Sequence, residues 1–119
     1  MQSEVVNYNT EELIVKDIKT HVGKIKAGSY YRGQILVYQN NNWEAVTTIS
    51  ADKKLGVFLG SGITPEGSPK TSAVAFNDAI IVFGEIYEKG LKDSTGKSIS
   101  LSEANIVEMI KSSLFVRRI

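Results

Sequence analysis

His21 is the single histidine of a 119-residue chain, and with Glu85 and Glu88 it is the natural starting point for a hydrolytic reading. A Ser-His-Asp triad needs a nucleophile held on a sharp turn, and no nucleophile-elbow sequence accompanies His21. Around it, His21-Val22-Gly23-Lys24-Ile25-Lys26 alternates polar and apolar residues, which predicts a strand with His21 on the solvent side. A metal site would need further ligands, and there is no second histidine, no cysteine and no HExxH spacing. Glycosidase chemistry needs two carboxylates facing one cleft. The strand period of two puts Glu85 and Glu88 on opposite faces, whereas Glu85 and Tyr87 share one and read as a surface or interface pair. A small hydrolase is therefore the weakest reading. The expectation is a chain with no catalytic residues, no metal and no cofactor.

Gly60-Ser61-Gly62 invites a phosphate-loop reading. Pro65 stands where GxGxxG needs its third glycine, no helix follows, and no Gly-Lys-Ser/Thr is present, so a connecting loop is the better assignment. Tyr30, Tyr31, Arg32, Tyr38 and Trp43 could stack on sugars or bases. Aromatic residues and arginine also fill cores and protein interfaces. Arg117-Arg118 is too short for a basic patch and suits pairing with nearby acids or a neighbouring chain.

Charge disfavours the nucleic-acid use and leaves a protein interface or plain core. Fourteen Lys and Arg stand against thirteen Asp and Glu, a net charge of +1, so neither nucleic acid nor a strongly basic partner is indicated. The length predicts one domain with a modest core. The start, MQSEVVNYNTEEL, is polar and acidic, unlike a signal peptide, and no run approaches the ~18 apolar residues of a membrane span. A soluble product made in the cytoplasm is expected, with no membrane partner.

The elements that must position these residues are organised around Ala79–Leu91. Ala79-Ile80-Ile81-Val82-Phe83 is an apolar, β-branched run that predicts a strand buried on both faces. Gly84 inside it predicts a bulge or a close backbone approach. Further strands are expected at Leu13–Thr20, His21–Lys26, Ile35–Gln39, Trp43–Thr47, Leu55–Leu59, Thr71–Phe76 and Leu114–Val116. Asn40-Asn41-Asn42 supplies the left-handed residues of a tight hairpin, and Asn77-Asp78 reads as a turn. Ser100-Leu101-Ser102-Glu103 has capping-box spacing, with Ser100 as the cap. A helix is expected from Leu101 to Ser112, its stripe made by Leu101, Ala104, Val107 and Ile110 and broadened by Ile106 and Met109. The whole predicts a mostly β single domain, a small barrel or sandwich over residues 13–119, with one late helix. Residues 1–12 have Val5, Val6 and Tyr8 as their only large apolar groups and are expected to be loose in the isolated protein, either a frayed terminus or an arm that orders on a partner. As a strand it would place Val6, Tyr8 and Thr10 on one face.

The order of these features resembles the bacteriophage head decoration proteins. Lys26-Ala27-Gly28-Ser29 followed by Arg32-Gly33-Gln34-Ile35-Leu36 is similar to that family's opening. Asn42-Trp43-Glu44-Ala45-Val46 resembles its hairpin return, though without the usual proline. Leu55-Gly56-Val57-Phe58-Leu59 resembles its Gly-containing strand, and Ala79–Leu91 its strand with a Gly-Glu step. The closing helix and the end Leu114–Ile119 complete a likeness that covers most of Lys24–Ile119.

The resemblance implies a β-tulip-type domain that sits as a homotrimer on three-fold positions of the expanded capsid. It implies a structural role, stabilising the shell against the pressure of packed DNA, on the outer surface of the virion. The implied partners are the major capsid protein, met partly through the arm residues Val5, Val6, Tyr8 and Thr10, and further copies of the same chain. Tyr30, Tyr31, Arg117 and Arg118 are the candidates for the trimer contact. A head fibre, or a carbohydrate-binding module of the virion surface built on Tyr30, Tyr31 and Trp43, is the alternative.

Overall fold

The computed structural model describes residues 13–60 and 67–118. The arm residues Val5, Val6, Tyr8 and Thr10 lie outside the described residues, as does most of the loop after Gly60. The described chain is mostly β, as its alternating and β-branched runs predict. Its strands are β1 (Ile14–Ile25), β2 (Gly28–Tyr30), β3 (Ile35–Gln39), β4 (Asn42–Ala45), β5 (Leu55–Phe58), β6 (Lys70–Ser72), β7 (Phe76–Tyr87) and β8 (Leu114–Arg117). A 3-10 turn at Glu88–Gly90 follows β7, and the helix α1 (Glu103–Lys111) precedes β8.

Six strands form one sheet in the order β1-β4-β3-β5-β7-β8, and β1 also pairs with β7. That extra pairing closes β1, β4, β3, β5 and β7 into a ring. β8 runs parallel to β7, with Gly84 opposite Leu114 and Tyr87 opposite Arg117, and continues the edge that β5 covers further back. The hairpin between β3 and β4 turns at Asn40 and Asn41, whose φ values of 57° and 65° are those a tight two-residue turn demands. The sequence reads two strands over Leu13–Lys26, but the structure has one long β1. The small antiparallel ribbon β2–β6 stands apart from the sheet. It is pinned to β7 by Lys70, which pairs with the buried carboxylate of Asp78. Asn77-Asp78 is thus no turn: Asp78 lies inside β7, and the break falls earlier, between Ser72 and Phe76.

Alternation along the strands sorts the core into two clusters. Ile35, Val37, Leu55, Val57 and Ile81 face one side, with Leu13, Ile86, Leu91, Leu101, Ile106, Met109 and Leu114. Ile25, Tyr30, Leu36, Trp43, Phe58 and Ile80 face the other. β5 is therefore buried on both faces, as its unbroken apolar run predicts. Trp43 lies flat between two glycines. A Cβ on Gly23 would stand 2.7 Å from Trp43 Nε1, and one on Gly56 would stand 3.0 Å from Trp43 Cζ3.

α1 departs from the expected capping and stripe. Its cap is Ser102, whose Oγ accepts from the Asn105 N–H at 3.1 Å, and Leu101 lies before the helix in the core. The buried helical residues are Ile106 and Met109, while Val107 and Ile110 are exposed. The sequence carries apolar residues on both sides of the helix, and the buried side is the one whose Ile106 and Met109 join the core cluster that includes Leu114 and Ile86.

Candidate interaction surface

The outer face of the β1–β7–β8 segment brings together two exposed aromatic rings, several lysines and an ion pair. Its origin is a pair of register irregularities. Lys16 pairs with Glu85 and Lys19 with Phe83, so Asp17 and Ile18 together oppose the single residue Gly84. This is a β-bulge on β1, with Asp17 at φ 58°. Gly84 answers it at φ 128°, where a Cβ would lie 2.6 Å from Ile18 Cα and 2.8 Å from Asp17 O. The expected close backbone approach at Gly84 is present, and the extra residue belongs to the opposing strand. A second shift lies between the pairs Lys19–Phe83 and Thr20–Ile81. It breaks the alternation of β7: Ile80 and Ile81 are both buried, after which Gly84 and Ile86 point inward and Phe83, Glu85 and Tyr87 point outward.

Phe83 is 37% exposed and Phe115, on the neighbouring strand, is 41% exposed. Their rings meet edge to face at 5.9 Å, with 78° between planes. Lys19 Nζ stands 6.0 Å from the Phe83 ring centre, and Lys89 Nζ stands 4.8 Å from that of Tyr87. Arg117 Nε donates to Glu85 Oε2 at 2.7 Å. The exposed edge-to-face aromatic pair and the neighbouring Arg117 are residue types enriched in protein interfaces, and the flanking lysines are of the kind found at a polar rim. Lys16, Lys19 and Lys89 have no carboxylate within ion-pair distance among the described residues.

Arg118 acts within the chain. It stands 3.6 Å from Glu88 and 3.7 Å from Glu103 and donates to the Leu101 carbonyl. Glu88 in turn accepts from the Leu101 N–H at 2.7 Å. The two arginines thus pair with nearby acids, as the sequence suggests, and the two glutamates of the hydrolytic reading serve as their partners. Glu88 lies in the turn beyond β7, so it shares no strand face with Glu85 at all. His21 is exposed on β1 opposite Ile80, and its imidazole makes no hydrogen bond or ion pair among the described residues. No group of three or more His, Asp or Glu residues that could hold a metal occurs among the described residues.

Tyr30 corrects the expected trimer set. It is 4% exposed, packs against Phe58 at 5.8 Å and Phe76 at 6.0 Å, and donates its hydroxyl to Lys26 O at 2.7 Å. Burial, with a smaller contribution from Glu44, raises its phenol above the usual range. The ring fills the protomer's own core and has no surface to offer. Tyr31 packs on the Asp93–Lys97 loop, where a Cβ on Gly96 would stand 2.6 Å from its ring. Trp43 is 5% exposed, so the three aromatics of the carbohydrate reading form no common platform. Arg117 alone of the four trimer candidates belongs to the aromatic face. The residues missed from sequence are Phe83, Phe115 and Lys19. The available signal was the i, i+2, i+4 spacing of Phe83, Glu85 and Tyr87.

No family model, no curated protein and no solved structure matches this chain. No helix among the described residues is long and apolar enough to cross a membrane.

Proposed function

We propose that this chain is a decoration protein of phage heads. It binds the outer surface of the expanded capsid at three-fold positions as a homotrimer, docks partly through residues 1–12, and braces the shell against the pressure of packed DNA. The observation that carries this reading is the exposed Phe83–Phe115 pair, set on a face of cations and ion pairs beside β8, which among the described residues pairs with β7 alone. Such a face suits a protein partner. The motif order over Lys24–Ile119 supplies the kind of partner.

The physical role follows from multiplicity. A cap that spans neighbouring capsid subunits opposes their separation, and many weak docking events on one shell act together. An extended segment that orders on docking loses its conformational entropy once, in exchange for backbone hydrogen bonds and apolar anchors. The chain performs no reaction in this role and uses no cofactor. Co-sedimentation with expanded heads of the same phage tests it, using the full chain and a form lacking residues 1–12. Saturable binding by the full chain, weakened by the deletion, is expected. No binding by the full chain overturns the proposal.

A further inference from the structure

Cross-strand register lays out the outer face of β1, β7 and β8 in rows. Lys19 stands opposite Phe83 and Lys16 opposite Glu85. On the other side of β7, Glu85 stands opposite Phe115 and Tyr87 opposite Arg117. Directly opposed residues share a face of the sheet. The β1 column of this face is therefore cationic, and the β7 and β8 columns carry the rings. Glu85 is the carboxylate placed to neutralise Lys16, but its Oε2 accepts from Arg117 Nε at 2.7 Å on the opposite side. Lys16 is left exposed with no ion pair among the described residues. Lys19 and Lys89 lie by the rings of Phe83 and Tyr87, contacts that leave an exposed ammonium able to meet an anion.

The charge of this face does not cancel. Asp17, at the bulge, is its other carboxylate and makes no ion pair among the described residues. Arg118 and Glu88, beyond the end of the face, pair with each other. Lys16, Lys19, Lys89 and Arg117 thus stand against Asp17 and Glu85, four positive groups to two negative. That is an excess of two on a chain whose net charge is +1, so the rest of the chain carries a net negative charge. Neighbouring strands lie about 4.8 Å apart, which sets the β1 lysines and the Phe115 ring about 10 Å from each other, within the span of one protein segment. A uniformly charged polymer would meet the lysines and press charge onto the rings. A segment that mixes carboxylates with apolar side chains satisfies both columns.

We infer that the partner surface received by this face is acidic: a protein segment with Asp or Glu set against Lys16, Lys19 and Lys89 and apolar side chains set against Phe83 and Phe115. The inference deepens the docking reading above and rests on it for the identity of the partner as capsid protein. Each exposed charge pair adds little affinity, and together they act on encounter rate and on the choice of partner. Binding of this kind weakens with salt, because the screening length falls from about 10 Å at 0.1 M to about 3 Å at 1 M.

The probe is a synthetic peptide alternating glutamate with tyrosine, titrated into the isotope-labelled full chain and followed by amide resonances. Shifts clustered around Lys19, Phe83 and Phe115 are expected, with affinity falling about tenfold or more between 0.1 M and 1 M salt. A matching lysine–tyrosine peptide should leave the face unshifted. Lys19→Glu with Lys89→Glu, both at exposed positions, should exchange the two preferences with the circular dichroism of the fold retained. Shifts centred on lysines elsewhere, such as Lys53 and Lys97, overturn the inference. So does a double variant that keeps the parent's preference, or heparin that competes as well as the peptide for the same residues. On expanded heads the double variant should bind about tenfold more weakly than the parent. Parent binding that ignores both salt and the charge reversal overturns the inference and leaves the docking reading standing. A peptide that maps to this face, with no sedimentation of the parent on heads, supports the inference and overturns the docking reading alone.

Discussion

Gly84 and Ile18 touch backbone to backbone: a Cβ on Gly84 would lie 2.6 Å from Ile18 Cα, in a conformation with φ 128°. The bulge at Asp17–Ile18 and the glycine opposite it are one device. Gly84→Val meets both the strain of that φ and a clash with main chain that cannot rotate away. A loss of ~3 kcal/mol or more is expected. Chemical denaturation of the variant checks it, and an unchanged midpoint would show that the strands part easily.

Phe83→Ser with Phe115→Ser removes an exposed ring pair and little of the core. The fold should lose about 1 kcal/mol, the worth of such a pair at a surface. Binding to expanded heads should fall sharply. Parallel melting and co-sedimentation separate the two effects, and a variant that binds as well as the parent excludes this face from docking.

Lys54 Nζ donates to Val82 O at 2.7 Å and to Ser112 O, joining β7 to the end of α1. Burial lowers its pKa below the usual lysine value. The unfolded chain therefore binds the proton more tightly than the folded one, and folding stability rises as pH climbs through the folded pKa toward that usual value. Lys54→Met should remove this alkaline rise, at the cost of about 1–3 kcal/mol at neutral pH for the bonds lost. Denaturant midpoints of both proteins across the alkaline range check the sign.

Ser102→Ala should cost about 1 kcal/mol, because Ser102 Oγ accepts from the first turn of α1. Ser100→Ala should leave stability unchanged. Paired thermal melts decide between the two caps, and the reverse order would place the start of the helix at Ser100.

The strands were legible because their signals were local. The apolar run before Gly84, the asparagine hairpin and the unbroken β5 segment each depend on a few consecutive residues, and each appears where expected. The helix was legible as an element and misread as a surface. Apolar residues line both of its sides, and only the position of β8 decides that Met109 goes in and Ile110 stays out. The aromatic face was hidden for a related reason. Phe83 ends an apolar run that reads as core throughout, and it turns outward because of a register shift against β1, some sixty residues earlier in the chain. Tyr30 was misplaced in the opposite sense. Its neighbours are polar, and its burial comes from Phe58 and Phe76, which no local pattern connects to it.

The ring of strands has a consequence for how the chain forms. Its longest pairing joins β1 to β7, from Ile14 with Ile86 to Ile25 with Phe76. Strand β1 therefore waits for the rest of the barrel to be synthesised before it can complete its longest ladder. Only the β3–β4 hairpin and its β5 neighbour can settle early. Contacts this distant slow folding and leave strand edges uncovered meanwhile. Lys16, Lys19 and Lys24 put exposed charge on the strand whose longest ladder closes late, a composition that disfavours edge-to-edge pairing with another copy.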